Sequence, residues 1–315
     1  MLLLYKLCGV EAFRIAAVQA SPVFMDRAAT LEKAIGLISV AAKEGASLVV
    51  FPEAFLPGYP IWTWFLKPSQ FEEIEALYGE YLEQSVTIPG QETALIGKAA
   101  KSAGVHVGIG VTERNSEASG SSLFNSFVLF DSSGAVVGKR RKLVPTGPER
   151  MIWAQADGSS VGVVETRLGR IGALICWENY MPLARYAMQS GGAEVMLAPT
   201  WDCGGVWQAS MRHIAKEGRA YVVGCCSAMR LDDVPERFGF RAEMPEGEWV
   251  NRGGTVIVDP EGTVLAGPLF EQEGILYADA DPKLLRGVKW NLDVAGHYAR
   301  PDVFRFEVDR TARVP

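Results

Sequence analysis

The sequence predicts an α/β protein: a four-layer α-β-β-α sandwich of two similar α-β-β halves, sheet facing sheet and helices outside. Three observations carry this. Short apolar runs alternate with stretches of helical spacing along the chain. Two hairpins of similar wording recur, Phe127-Val-Leu-Phe-Asp-Ser-Ser-Gly-Ala-Val-Val137 and Thr255-Val-Ile-Val-Asp-Pro-Glu-Gly-Thr-Val-Leu265, each an apolar run, an Asp-x-x-Gly turn and a second apolar run. No linker-like segment separates the halves, so a single domain over residues 1–315 is expected. Chance similarity of two turns is the alternative reading of the repeat.

Taken in order, Phe13–Ala20 is an apolar run that reads as a strand, and Leu31, Ala34, Ile35, Ile38 and Ala42 then keep helical spacing up to Gly45. Leu48–Phe51 reads as a buried strand, completing a βαβ unit, and Pro52-Glu53 follows at its carboxyl end. Ligands in open α/β sheets gather at such ends. Ser69–Ser85 and Gln91–Ala103 suit surface helices, and Val105–Val111 returns as strand. Beyond the first hairpin the same alternation resumes: strand over Ile171–Cys176, helix over Met181–Gln189, strand over Val195–Ala198, helix over Trp207–Glu217 and strand over Tyr221–Cys226.

Composition narrows the function classes. With 315 residues, 48% of them hydrophobic and 22% charged, the chain can bury a sizeable core, which excludes intrinsic disorder. Its 31 Lys+Arg against 37 Asp+Glu give a net charge of −6, so no basic footprint for nucleic acid exists. Five Cys are too few, and odd in number, for a disulfide framework, which points to a reducing cytoplasm. The apolar start Met1–Gly9 lacks a basic region ahead of it and is shorter than the core of a secretory signal. No other stretch approaches the ~20 apolar residues of a membrane helix. The three His (His106, His213, His297) lack ligand spacing, so no metal site is expected and hydrolysis would run without one.

Cys176 is the first candidate for chemistry. It lies in Leu174-Ile-Cys-Trp-Glu-Asn-Tyr-Met-Pro-Leu183, where a strand stops and Pro182 suits the first turn of a helix. Positive helix-terminal potential there would lower the thiol pKa and present a nucleophile at the sheet rim; a buried structural Cys is the plainer reading. No His sits in a comparable place, which leaves a carboxylate as base. Glu53 stands between a buried strand and an aromatic, Pro-rich loop, where desolvation would raise it towards general-base range; salt-bridging or capping is the alternative. Lys142 ends the cluster Lys139-Arg-Arg-Lys142, with Glu149 close behind. It is either part of a solvated face or phosphate contact, or a cation that stabilises a tetrahedral intermediate and helps hold Cys176 as thiolate. A site at Cys203, Cys225 and Cys226 is disfavoured, because adjacent strand residues point to opposite faces.

Phe51-Pro-Glu-Ala-Phe-Leu-Pro-Gly-Tyr-Pro60, Arg141-Lys-Leu-Val-Pro-Thr146 and Cys176-Trp-Glu-Asn-Tyr-Met-Pro-Leu183 resemble, in this order, the three motif regions of the nitrilase superfamily of carbon–nitrogen hydrolases. The resemblance extends to Met211–Arg219 and Asp293–Val303, covering about Phe13 to Phe304, and Cys-Trp-Glu-Asn looks like its true nitrilase branch. It implies Cys176 as nucleophile, Glu53 as general base, Lys142 as stabiliser of the tetrahedral intermediate and Glu149 as the glutamate orienting lysine and substrate or water. It further implies a cofactor-free nitrilase that turns a small organic nitrile and water into acid and ammonia. Aliphatic amidase or another carbon–nitrogen hydrolase is the runner-up, and a catalytically silent assembly or sensor protein a third reading.

Tyr59, Thr146, Trp153, Trp177 and Trp201, in or beside the motifs, are expected to line the substrate pocket, although some will be plain core. The backbone N–H of Trp177 is the expected oxyanion-type donor. Trp62 and Trp64 could make a subunit contact. The resemblance implies a homo-oligomer, a dimer or a larger spiral, with the tail from about residue 281 to 315 at a subunit contact. Residues 1–12 form an N-terminal extension outside it.

Overall fold

The structure, a computed structural model, describes residues 11–313. The first half runs β1 (Phe13–Gln19), α1 (Arg27–Lys43), β2 (Ala46–Val50), α2 (Phe71–Gln84), α3 (Gln91–Ala103), β3 (His106–Arg114), β4 (Leu123–Phe130) and β5 (Val136–Arg141). The second runs β6 (Val163–Thr166), β7 (Gly169–Ala173), α4 (Pro182–Ser190), β8 (Val195–Thr200), α5 (Gly205–Gly218) and β9 (Tyr221–Cys226). It continues through β10 (Ala228–Arg230), β11 (Trp249–Val258), β12 (Val264–Phe270), β13 (Gly274–Ala280) and α6 (Pro282–Val288).

The strands form two sheets whose orders repeat one another. The first reads β13-β1-β2-β3-β4-β5; the second reads β6-β7-β8-β9-β11, with β12 continuing beyond β11 and β10 as an extra edge strand. In each, three parallel strands (β1-β2-β3; β7-β8-β9) are extended by an antiparallel hairpin (β4-β5; β11-β12) and flanked by an antiparallel strand on the other side. The two hairpins agree down to their turns. Asp131 accepts from the N–H groups of Ser133 and Ala135, and Asp259 accepts likewise from Glu261 and Thr263. The glycine of each turn, Gly134 or Gly262, has φ +87°, a conformation that side chains resist. The repeat is therefore structural, not a chance of wording.

Strand alternation puts Ile15, Ala17, Leu48 and Val50 of the first sheet against Val195, Leu197, Val223 and Ile257 of the second, forming the central core. α1 and α3 cover the outer face of the first sheet, and α4 and α5 that of the second. This is the expected α-β-β-α order. Helix α2 departs from it, because its buried residues Leu77 and Tyr81 pack on the loop around Trp62 and on Phe240 instead of on a sheet. Trp62 is consequently core, edge-on to Tyr81 and buried, and makes no subunit contact; Trp64 is half exposed.

From Lys289 onward the described tail has no regular strand or helix. It folds back on its own second half, with Phe306 edge-on to Tyr186 and Arg310 Nε donating to the Val161 carbonyl. Of the expected N-terminal extension, residues 1–10 lie outside the described residues. No described helix is long and apolar enough to cross a membrane, and the described residues hold no group of three or more His, Cys, Asp or Glu able to bind a metal ion.

Candidate active site

Glu53 follows β2 on a loop held by the neighbouring strand. Phe51 N donates to the Gly108 carbonyl and Gly110 N to the Pro52 carbonyl, continuing the ladder past the strand end. The approach is so close that a Cβ on Gly110 would lie 2.3 Å from Pro52 O and 2.5 Å from Ala54 N. Glu53 Oε1 accepts from Asn125 Nδ2 at 2.7 Å and from Lys142 Nζ at 2.8 Å, while Oε2 accepts from the backbone N–H of Trp201 at 2.9 Å.

Lys142 follows β5, its N–H donating to the Asn125 carbonyl. Its ammonium also donates to Glu149 Oε2 at 2.7 Å, so one cation bridges two carboxylates, and all three side chains are excluded from water. Burial alone would lower the lysine pKa, but Glu53, the Cys176 sulfur and Glu149 outweigh it and hold the group charged. Glu149 sits in a one-turn helix over Gly147–Met151. It also accepts from Tyr59 Oη at 2.6 Å and from Thr146 N at 2.7 Å, and burial followed by the charge of Glu53 raises its pKa.

Cys176 departs from expectation in its backbone. The strand ends at Ala173 and not at Cys176, and α4 begins only at Pro182, after a short turn over Cys176–Tyr180. Cys176 therefore does not sit at the head of an α-helix. It has φ +53°, a strained conformation for a residue with a side chain, which the surrounding contacts must impose. Asn179 does this in part, its Nδ2 donating to the carbonyls of Leu174 and Cys176. The thiol pKa is pushed up, not down: burial comes first, Glu53 adds to it, and the opposing Lys142 ammonium does not prevail. Thr200 Oγ1, at the end of β8, lies 3.2 Å from the sulfur as donor.

Of the five pocket candidates, three cluster. Trp201 stacks on Tyr59 with ring centroids 4.7 Å apart, and Trp153 meets the same tyrosine edge-on. Thr146 is half-buried beside Glu149. Trp177 stands apart: its ring is half exposed, its indole N–H donates to Asp202, and it packs edge-on to Tyr180. Asn125 and Thr200 carry no signal in the sequence, because a polar residue in an apolar strand means nothing until its neighbour in the fold is known; Asn179, inside the Cys176 segment, bonds its own loop and shows its part only once that loop is folded.

Residues 14–289 match the carbon-nitrogen hydrolase family. The chain belongs to this family. Within it, an aliphatic nitrilase of Sinorhizobium fredii strain HH103 is 44% identical over 305 residues, covering 94% of this chain and 96% of its own length. A bifunctional nitrilase/nitrile hydratase of Nicotiana tabacum is 42% identical over 296 residues, covering 92% of this chain and 84% of its own. The solved carbon-nitrogen hydrolase from Helicobacter pylori G27 superposes with a TM-score of 0.73 at 20% identity, over 94% of this chain and 100% of that one, a likeness of fold. The nitrilase-superfamily resemblance and the sandwich fold it implied are thus borne out.

Proposed function

We propose that this chain is a nitrilase, converting a small organic nitrile to its carboxylic acid and ammonia through a covalent intermediate on Cys176. The observation that carries the reading is the buried Glu53–Lys142–Glu149 ion cluster beside a thiol on a strained turn, in a chain whose curated relatives are named nitrilases at 44% and 42% identity.

The chemistry follows from the charges. A neutral thiol is a weak nucleophile, so its proton must leave as the sulfur attacks, and Glu53 is the nearby base. Sulfur adds to the nitrile carbon while a proton reaches the nitrogen, giving a thioimidate. Water, deprotonated by Glu53, adds to the same carbon. The Lys142 ammonium and the backbone N–H of Trp177 stabilise the tetrahedral species, ammonia leaves, and a thioester remains. A second water releases the acid. Glu149 orients Lys142 and, through Tyr59, the aromatic group with Trp153 and Trp201 that would receive the apolar body of the substrate; Thr146 and Trp177 complete the proposed lining.

The enzyme would work in the cytoplasm as a homo-oligomer. In support, Leu183 on α4 and Val206 on α5 are exposed apolar residues, and Trp290, Tyr298, Val303 and Phe304 are exposed along the tail. The test is ammonia release from matched nitrile and amide panels by wild type and Cys176→Ala. Nitriles should be consumed and the variant should be inert while folded. Ammonia from amides alone would make the chain an amidase, and an inactive wild type would make it a silent relative.

A further inference from the structure

One buried carboxylate has no part in the chemistry above. Glu178 lies two residues beyond Cys176 with its side chain excluded from water. Its Oε1 accepts from Arg140 Nη2 at 2.8 Å and from the backbone N–H of Leu143 at 2.7 Å, and its Oε2 accepts from the backbone N–H of Ile175 at 2.8 Å. Leu143 directly follows Lys142, and Ile175 directly precedes Cys176. One carboxylate therefore grips the main chain beside each of the two.

The placement has a physical point. Lys142 leaves the end of β5 in the first sheet, and Cys176 follows β7 in the second. Strands in one sheet are held in register by backbone hydrogen bonds, but these two sheets face each other across apolar side chains, and hydrophobic burial is non-directional. It presses the sheets together without fixing how one slides on the other. A displacement of about 1 Å between reacting groups can cost a hundredfold in rate. The Glu178 bonds are directional, charge-assisted at Arg140 and excluded from solvent.

We infer that Glu178 is a positioning residue that sets the placement of the Lys142 ammonium relative to the Cys176 sulfur by tying the two strand exits together across the sheet interface. The inference rests on the catalytic roles proposed above. Carboxylate chemistry is required, because all three partners donate. An amide at this position would turn an N–H group towards one of them, and aspartate, one methylene shorter, cannot span both main-chain donors.

The experiment is steady-state kinetics on a hydrolysed nitrile for wild type, Glu178→Gln, Glu178→Asp and Cys176→Ala, with melting temperatures of each. Ile38→Ala, on the face of α1 buried against the first sheet, is the control for lost stability alone. The expected result is a fall in kcat of thirtyfold or more in Glu178→Gln with KM within threefold, and at least tenfold in Glu178→Asp. Ile38→Ala should keep its kcat per folded molecule while melting earlier. Should Glu178→Gln not fold, Glu178→Asp carries the test. A kcat within twofold of wild type in the folded Glu178 variants, or a loss equalled by Ile38→Ala, overturns the positioning role. Turnover that survives Cys176→Ala overturns the catalytic reading and this role together; an inert Cys176→Ala beside an unimpaired Glu178→Gln overturns this role alone.

Discussion

Glu53 reaches Lys142 across 89 residues of sequence, carboxylate to ammonium at 2.8 Å. Both groups, with Glu149, are buried, so the balance of charge among the three decides what each substitution does. Glu53→Gln keeps the Lys142–Glu149 pair, but it loses the proposed base and turns an amide N–H towards one of the three donors that Glu53 accepts from. Turnover should fall by roughly 10²–10⁴, the usual worth of a general base, and the urea midpoint should fall less than in a variant that removes the cation. Lys142→Met leaves two carboxylates facing each other without a cation. It should lose activity and about 3–5 kcal/mol of stability, the cost of breaking a buried pair. Equal urea midpoints for the two variants would refute this ordering.

Gly110→Ala should injure the site without touching a polar group in it. The added Cβ would meet the Pro52 carbonyl oxygen at 2.3 Å, and the loop carrying Glu53 must shift. We expect a stability loss of about 1–3 kcal/mol and at least a tenfold fall in kcat. Gly97→Ala is the matched comparison, since its Cβ would meet the Gly134 carbonyl oxygen at 2.4 Å, under α3. It should lose stability and keep its kcat.

The raised thiol pKa has a direct readout. Alkylation of Cys176 by iodoacetamide, followed by mass spectrometry, should keep accelerating as pH rises past 9, the ordinary value for the group. A rate that levels off below pH 7 would mean a resting thiolate paired with Lys142, as the sequence alone led one to expect.

Acid stability should depend on Glu113, on β3. Burial would raise its pKa, but hydrogen bonds from Arg141, Ser126 and Lys139 outweigh that and hold it below the ordinary 4.5. A depressed carboxylate contributes stability that is complete above its unfolded value and is lost as pH falls through its folded value. The stability difference between wild type and Glu113→Gln should therefore be constant near neutrality and shrink below pH 4.5. A difference that grows in acid would contradict the assignment.

Much of this was readable in one dimension, for definite reasons. Strand, helix and turn periodicities do not depend on distant neighbours, so the Asp131 and Asp259 turns and the βαβ start were legible as written. Glu53 stood out because a charge between a buried strand and an aromatic loop is costly unless paired, whereas Cys176, Lys142 and Glu149 stood out through the segments that carry the family resemblance. What was not legible depends on the other sheet or the neighbouring strand. Asn125 means nothing until β4 lies beside the Glu53 loop, and Glu178 reads as a motif letter until Arg140 and Leu143 approach it from the first half. The expected helix-dipole activation of Cys176 is not found: five residues lie between it and Pro182, where α4 begins, and burial and Glu53 push the thiol pKa up.

The pairing of β13 with β1 bears on how the protein is made. Arg14 and Asp279, partners on these strands, are 265 residues apart, so the first sheet stays open at β1 until β13 has left the ribosome. An uncovered strand edge beside apolar residues is a template for pairing with other chains. A nascent first half would carry that hazard throughout synthesis. Truncations ahead of β13 should therefore be recovered as aggregates, however complete their share of the site.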